Sequence, residues 1–454
     1  MKSKIISRTS ISTFSFPPSS IAISNKACRR CNIIKVFGIV VLSILILVGA
    51  AGASPFAYIT NLESNNVSVI DTATDTVKAT VNVGTEPFGV AVSSDGTRVY
   101  VTNCMGNSVS VIDATENKLI GTVRVGSYPE GVAVTPDGTK VYVVNTASTT
   151  ISVIDTATNN VTATVKVGSM PEGVAVAPDG KKVYVVNSGE EPDYQGTVSV
   201  IDTATNTITA TVPVGINPYG GAISPDGTNV YVVNANIYPY YNGTVSVIDT
   251  ATNTVTATVK VGNLPHGIAV SPNGTRAYVA TTTPTIYSGK NIYSGKYNLD
   301  ATLHTGAVDV IDTTKYEVID RVSVGNYPYG IAVTPDGNKV YVVNSESNTT
   351  SVIDTATNKV NTTVPVGGHP IAVGIGPATK FSSTTESNST SFLNPVNQTE
   401  NQTNDTGMTA NAGTASKEEK ESIPTQASKD TPFLSPIWVL VAVLGTVAFV
   451  KKMR

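Results

Sequence analysis

The chain has 454 residues and a formal net charge of −3, from 30 basic and 33 acidic side chains. Its central repeats carry no basic cluster, so nucleic acid is not an expected partner. Of three cysteines only Cys104 lies in the repeats, where it reads as a buried free thiol.

In chain order, residues 1–53 come first. Val36 to Ala53 is apolar, follows Arg29, Arg30 and Lys35, and ends in Ala51-Gly52-Ala53. A basic stretch, an apolar core and small residues at the end are the layout of a secretory signal peptide. The basic stretch is long, so a start downstream of Met1 and an uncleaved anchor both stay open. Cys28 and Cys31 form a CxxC with no second ligand pair, and no metal is expected there.

Residues 54–376 are a repeat array. Val-Ile-Asp-Thr or a close variant recurs, with its aspartate at Asp71, Asp113, Asp155, Asp202, Asp249, Asp312 and Asp354. Each copy holds four short runs rich in Val, Ile, Thr and Tyr, bounded by turn residues. In the third copy they are Gly131 to Thr135, Lys140 to Asn145, Thr150 to Asp155 and Val161 to Val167. Pro136-Asp137-Gly138-Thr139 joins the first two, with Gly138 free to take positive φ. Thr156 to Asn160 joins the last two, as a turn that Asp155 can cap. Four strands per ~40–45 residues is the spacing of a propeller blade. Alternation is weak, as in Val198-Ser199-Val200-Ile201, which suits sheets buried on both faces. One tyrosine per copy (Tyr58, Tyr100, Tyr142, Tyr184, Tyr231, Tyr278, Tyr341) reads as inter-blade packing.

The array begins on a second strand, Tyr58 to Asn61, and ends on a first strand, Ile371 to Gly374. Together these complete one blade, which closes the ring and removes exposed sheet edges. The expected fold is all-β, a seven-bladed β-propeller closed by its terminal strands. A disordered stalk and a transmembrane helix follow it.

Val-Tyr-Val-Thr-Asn at 99–103, Val-Ser-Val-Ile-Asp-Thr at 67–72 and Gly-Val-Ala-Val-Thr-Pro-Asp-Gly at 131–138 resemble YVTN-type β-propeller repeats. The resemblance spans roughly residues 56–376. It implies a relation to surface-layer and other cell-surface proteins of methanogenic archaea. WD40 repeats are disfavoured, because the single tryptophan, Trp438, lies outside the array.

Two kinds of connection share one face of such a disc: the loops between second and third strands, and the links between blades. The links follow Gly-x-x-Pro-x-Gly. The residue after proline is Phe88, Glu130, Glu172, Tyr219, His266 and Tyr329 in turn, and the last link carries His369-Pro370. These side chains are expected to ring one mouth of the central channel, as a hydrated plug or as a site for a sugar, peptide or cation. Three enlarged loops add Tyr194, then Tyr238, Tyr240 and Tyr241, then Tyr287, Tyr293 and Tyr297, as a tyrosine-rich lobe suited to recognition. Gly-x-Ser-x-Gly, His-Glu-x-x-His and phosphate-loop motifs are absent. His266, His304 and His369 are the only histidines, and no metal or other cofactor is expected.

Residues 377–432 are rich in Ser, Thr, Asn and Glu, a composition that cannot bury enough apolar surface to fold. Glycosylation triplets begin there at Asn388, Asn397, Asn401 and Asn404, and in the repeats at Asn66, Asn160, Asn242, Asn273, Asn348 and Asn361. Residues 433–450 are apolar and long enough to span a bilayer; the basic residues at 451–454 belong on the cytoplasmic side. These readings lead us to expect a non-catalytic protein of the cell surface, single-pass and membrane-anchored with the propeller outside. Its partners would be envelope proteins, glycans or other copies of itself. The alternative is a tethered extracellular hydrolase of lactonase type, or a quinone- or haem-dependent oxidoreductase, working at the channel mouth. An enzyme would show convergent acids or histidines with perturbed pKa values in a buried site.

Overall fold

The computed structural model describes residues 55–377, except 191, 193, 237–241 and 285–303. The signal-like segment, the stalk, the apolar segment at 433–450 and the tyrosines at 238, 240, 241, 287, 293 and 297 lie outside the described residues. Among the described residues no helix is long and apolar enough to cross a membrane.

The described residues form seven four-stranded antiparallel sheets. In the third blade the strands run Pro129–Val134, Lys140–Asn145, Thr150–Asp155 and Asn160–Lys166, from channel to rim. Local chemistry fixes the turns. Gly138 has φ +71, and Asp137 Oδ1 accepts from Thr135 Oγ1 at 2.6 Å and from Thr139 N at 3.0 Å. Asp155 Oδ1 caps the outer turn, accepting from Thr158 N at 2.9 Å. A turn satisfied by its own aspartate leaves the backbone nothing else to bond, so the hairpin register is set locally.

Ring closure is as the repeats imply. Pro370–Ile375 is the innermost strand of the blade that Phe56–Asn61 continues, with Tyr58 opposite Gly374 and Ile59 opposite Val373. Every sheet therefore has neighbours on both faces, and seven apolar cores fill the wedges between blades. The recurrent tyrosines sit in these wedges; Tyr142 and Tyr341 are fully buried.

Polar devices tie each blade to the next. The asparagine ending the second strand donates to a serine of the third, as Asn103 does to Ser110 at 3.0 Å and Asn344 to Ser351 at 2.9 Å. The preceding link lays its glycine on that amide: a Cβ built on Gly84 would stand 2.5 Å from Asn103 Cγ. In five of the seven blades a basic side chain on the opposite face reaches across the wedge. Arg98 donates to Thr156 O at 2.7 Å, and Lys339 closes the ring on Thr72 O at 2.7 Å and Asp75 at 2.8 Å. Blade six departs from the pattern, with Thr281 in place of the asparagine and Asp309 in place of the serine. Arg321 compensates with two bonds to the buried Asp309 carboxylate, at 2.6 and 2.9 Å, while Gly262 N donates to it at 2.6 Å.

Around the channel the innermost strands meet at backbone distance. A Cβ on Gly89 would stand 2.2 Å from Glu130 O, on Gly131 2.5 Å from Glu172 O, and on Gly330 2.6 Å from Ile371 O. Gly330→Ala should therefore force the closing strand outward and cost about 1–3 kcal/mol. Gly121 has open space around its Cβ position, so Gly121→Ala should leave stability unchanged or slightly raised. Thermal melts of the two variants beside the parent check the contrast.

Candidate functional site

The links fold over one mouth of the channel as two rings. The residue before each proline is left-handed in all seven links: Glu86, Tyr128, Met170, Asn217, Leu264, Tyr327 and His369, with φ between 43 and 56. Such φ values are uncommon for side chains other than glycine and cluster at functional sites. Here asparagine side chains hold them: Asn65 Oδ1 accepts from Glu86 N at 2.8 Å, Asn107 from Tyr128 N at 2.9 Å, and Asn348 from His369 N at 2.8 Å. The extended loop of blade four joins this face, with Tyr194 O accepting from Asn217 N at 3.0 Å.

The residue after each proline forms the inner ring: Phe88, Glu130, Glu172, Tyr219, His266, Tyr329 and Ile371. His369 does not belong to it. The last link keeps the common spacing, Gly367-Gly368-His369-Pro370, so His369 stands before the proline in the outer ring and Ile371 after it in the inner one. His304 begins the third strand of blade six, paired with Pro284. Among the glycosylation candidates Asn160, Asn242, Asn273 and Asn361 are exposed, while Asn66 Oδ1 accepts from Asn61 at 2.7 Å.

The inner ring divides by chemistry. On the acidic side Glu130 is 2% exposed and Glu172 8%. Their carboxyl groups hydrogen-bond to each other. Burial, the negative charge of Glu172 and that hydrogen bond push the Glu130 carboxyl well above the usual range. Burial pushes Glu172 up to about 7, against the hydrogen bonds from Glu130 and Ser188. The pair shares a proton, since two buried carboxylates in contact do not both ionise. Ser188 Oγ stands 3.0 Å from Glu172 Oε1 and 3.1 Å from Met170 O. Glu130 Oε1 is buried with no hydrogen-bond partner. Cys104 lies beside the pair and donates to Pro129 O at 2.9 Å; burial and then Glu130 raise its thiol well above the ordinary value, so it stays protonated.

On the other side stand aromatic rings. His266 stacks on Tyr329 with centroids 4.5 Å apart and planes 21° apart, and meets Tyr219 at 5.2 Å and Tyr327 at 5.1 Å. Phe88 meets Tyr329 edge-on at 5.7 Å. Both His266 nitrogens are buried without partners, and burial lowers the imidazole to about 4, so it is neutral. Burial and then the charge of Glu172 raise the Tyr219 and Tyr329 hydroxyls, which remain hydrogen-bond donors. Phe88, Tyr219 and Tyr329 are partly open to solvent, whereas Glu130, Glu172, His266 and Ile371 are buried.

A 380 Å³ cavity opens beside blade four, lined by Ser169, Asn187, Gly189, Glu190, Pro192, Gln195 and Thr197. Its wall residues flank Met170 and Ser188 in the chain, which makes it the outer neighbour of the acid pair. Another cavity of 380 Å³ lies on the opposite face, near Arg276 and Asp336. Among the described residues no group of three or more His, Cys, Asp and Glu side chains is arranged to hold a metal. The sequence located the ring but missed the outer left-handed ring, Ser188 and the burial of the acids. The Pro-Glu-Gly repeat in successive links was the available signal for the pair.

Residues 54–176, which include Glu130 and Glu172, match the family model "Lactonase, 7-bladed beta-propeller". Among solved structures, Kuenenia stuttgartiensis hydrazine synthase is similar, with TM-score 0.57 and 26% identity, over 64% of this chain and 91% of that one. A Bacteroides fragilis protein named as a candidate 6-phosphogluconolactonase has TM-score 0.55 and 17% identity, over 71% and 98%. One from Bacteroides uniformis has TM-score 0.54 and 16% identity, over 71% and 99%. At those identities the last two show the fold alone. No curated protein matches the chain.

These findings correct the expectation of a non-catalytic scaffold that is not an enzyme. The lactonase-family match and the similarity to a synthase favour the alternative. The physical reason lies in the ring. Side chains read as a hydrated plug instead form a desolvated, proton-sharing acid pair beside a neutral imidazole.

The two sides oppose each other in pH dependence. Glu172, raised to about 7 from an ordinary 4.5, contributes stability that is full below 4.5 and lost as pH rises through 7. His266, lowered to about 4 from 6.5, contributes stability that is full above 6.5 and lost as pH falls through 4. Between pH 4.5 and 6.5 the two slopes have opposite sign. His266→Phe should therefore steepen the fall of Tm with rising pH, and the Glu130→Gln/Glu172→Gln double variant should make Tm rise instead. Melts across that window read both slopes.

Proposed function

We propose that the protein is a hydrolase that opens a lactone or closely related ester at this channel mouth. The observation that carries the reading is the buried, hydrogen-bonded pair Glu130–Glu172, within the segment that matches the lactonase family model. Carboxyl groups with divergent proton affinities divide acid and base work between them. The Glu172 carboxylate takes a proton from water as its oxygen attacks the ester carbonyl. The hydroxyls of Tyr219 and Tyr329 donate to the carbonyl oxygen as it gains charge. Glu130 supplies a proton to the departing ring oxygen, and the proton taken by Glu172 restores the pair. Water and lactone go in and a hydroxy acid comes out, with no oxidant or reductant consumed. Ser188 orients the Glu172 oxygen, and His266 offers neutral nitrogens to a polar group of the substrate.

Lactone opening by the full chain, followed by acid release across a panel of ring sizes, tests the reading. Glu172→Gln removes the base and should lower kcat by about 100-fold or more. Glu130→Gln should do the same, and the double variant should lose little beyond either single one. The parent rate should rise with pH through about 7, the range of Glu172. Absence of turnover on every lactone, or full activity in both single variants, would overturn the proposal.

We further propose that this enzyme works outside the cell. Supporting this are the resemblance of its repeats to YVTN-type surface proteins, the signal-like segment at 36–53, and the apolar segment at 433–450 with its basic tail. The stalk at 377–432, glycosylated at its acceptor asparagines, would hold the disc away from the membrane. A chain ending at residue 432 should appear in the culture medium, and the full chain in the membrane fraction. Retention of the shortened chain in salt-washed membranes would assign the anchor to 36–53 instead.

A further inference from the structure

Neither ring at the channel mouth contains a lysine or an arginine. Among the described residues, basic side chains on this face stand on outermost strands: Arg124, Lys166 and Lys260 are exposed at the rim, and Arg321 is paired with the buried Asp309. The centre carries carboxyl groups. Glu86 sits in the outer ring, close enough for its charge to act on the Cys104 thiol together with Glu130 and Glu172. The fields of Glu130 and Glu172 also reach Tyr219 and Tyr329 on the aromatic side. A phosphate or carboxylate bound here would surrender its hydration without meeting a cation, in a site that already holds negative charge. An uncharged ring meets the opposite conditions. The Phe88 and Tyr329 faces offer apolar contact. Glu130 Oε1 and the two His266 nitrogens are buried polar atoms still lacking partners.

We infer that the ligand class of this site is an uncharged lactone or ester, and that lactones carrying phosphate or carboxylate are excluded by the carboxyl groups, which no lysine or arginine of either ring offsets. The inference deepens the hydrolase reading and rests on it for the reacting group. It sets this chain apart in ligand chemistry from the structural neighbours named as candidate 6-phosphogluconolactonases. The outer-ring residue that governs the exclusion is Glu86, whose backbone bonds to Asn65 Oδ1 and Cys104 N.

Two probes that cannot hydrolyse separate binding from turnover: glucono-δ-lactam and its 6-phosphate, titrated calorimetrically into the full chain. The neutral lactam should bind about 100-fold more tightly or better, as expected when a like charge is brought against carboxylates. Glu86→Lys exchanges an acid for a cation at a left-handed position that either side chain occupies equally. It should narrow that ratio about tenfold or more without lowering Tm. Equal or tighter binding of the phosphorylated lactam by the parent overturns the inference, as does failure of both lactams to bind at millimolar concentration. If the neutral lactam binds selectively while no lactone is opened, the ligand class stands and the hydrolase reading falls.

Discussion

At six of their seven junctions the innermost strands approach so closely that a Cβ has no room between one strand and the carbonyl of the next. That single steric limit organises the mouth of the channel. It demands glycine two positions after the proline in six of the seven links, and packs backbone on backbone there. The residue between proline and glycine must then turn its side chain toward the channel. The left-handed residue before the proline follows from the same demand, since the chain has to turn sharply from the outermost strand of one blade to the innermost of the next. Chemistry at the mouth is thus a matter of which side chain stands at one position per blade.

Much of this was legible in the sequence. Repetition of Val-Ile-Asp-Thr and of the Pro-Asp-Gly turn fixes strand number and turn type, because each turn is satisfied by its own aspartate and glycine. The half-unit at each end makes ring closure readable, since Tyr58 and Gly374 have no other place to pair. The inner ring was readable for the six links that carry the full Gly-x-x-Pro-x-Gly pattern. It failed at the seventh, where Ala372 replaces the closing glycine of the pattern and the histidine, His369, stands before the proline while Ile371 stands after it. Spacing carries no information about solvent, so the ring was taken for a wet mouth. Glu130 and Glu172 look like surface residues in a sequence; only the convergence of all seven links buries them.

Blade six illustrates how far the architecture tolerates a change in its polar fittings. Asparagine and serine give way to Thr281 and Asp309, and the buried carboxylate would be costly alone. Arg321, one strand further out, meets it with two hydrogen bonds, while the glycine of the link donates a third. The substitution keeps the link in place, which keeps the ring in register. A repeat array can therefore vary one blade without disturbing the others, provided the change is closed within that blade.

The same independence explains how a repetitive fold acquires an asymmetric site. Acids occur at the inner position of two successive blades only, so they meet each other. Aromatic groups and a histidine occupy the next positions round the ring, so they stack on each other and leave the acids facing an apolar wall. Desolvation does the rest. The wall raises both carboxyls, their contact splits the two proton affinities, and the buried imidazole loses its charge without needing a partner. A wetter mouth with the same residues would hold two ordinary carboxylates, ionised at neutral pH and with no proton to give, beside an imidazole free to take up charge. The reactive character of this site is thus a product of how tightly the blades close, and its identity a product of which side chains the closure traps.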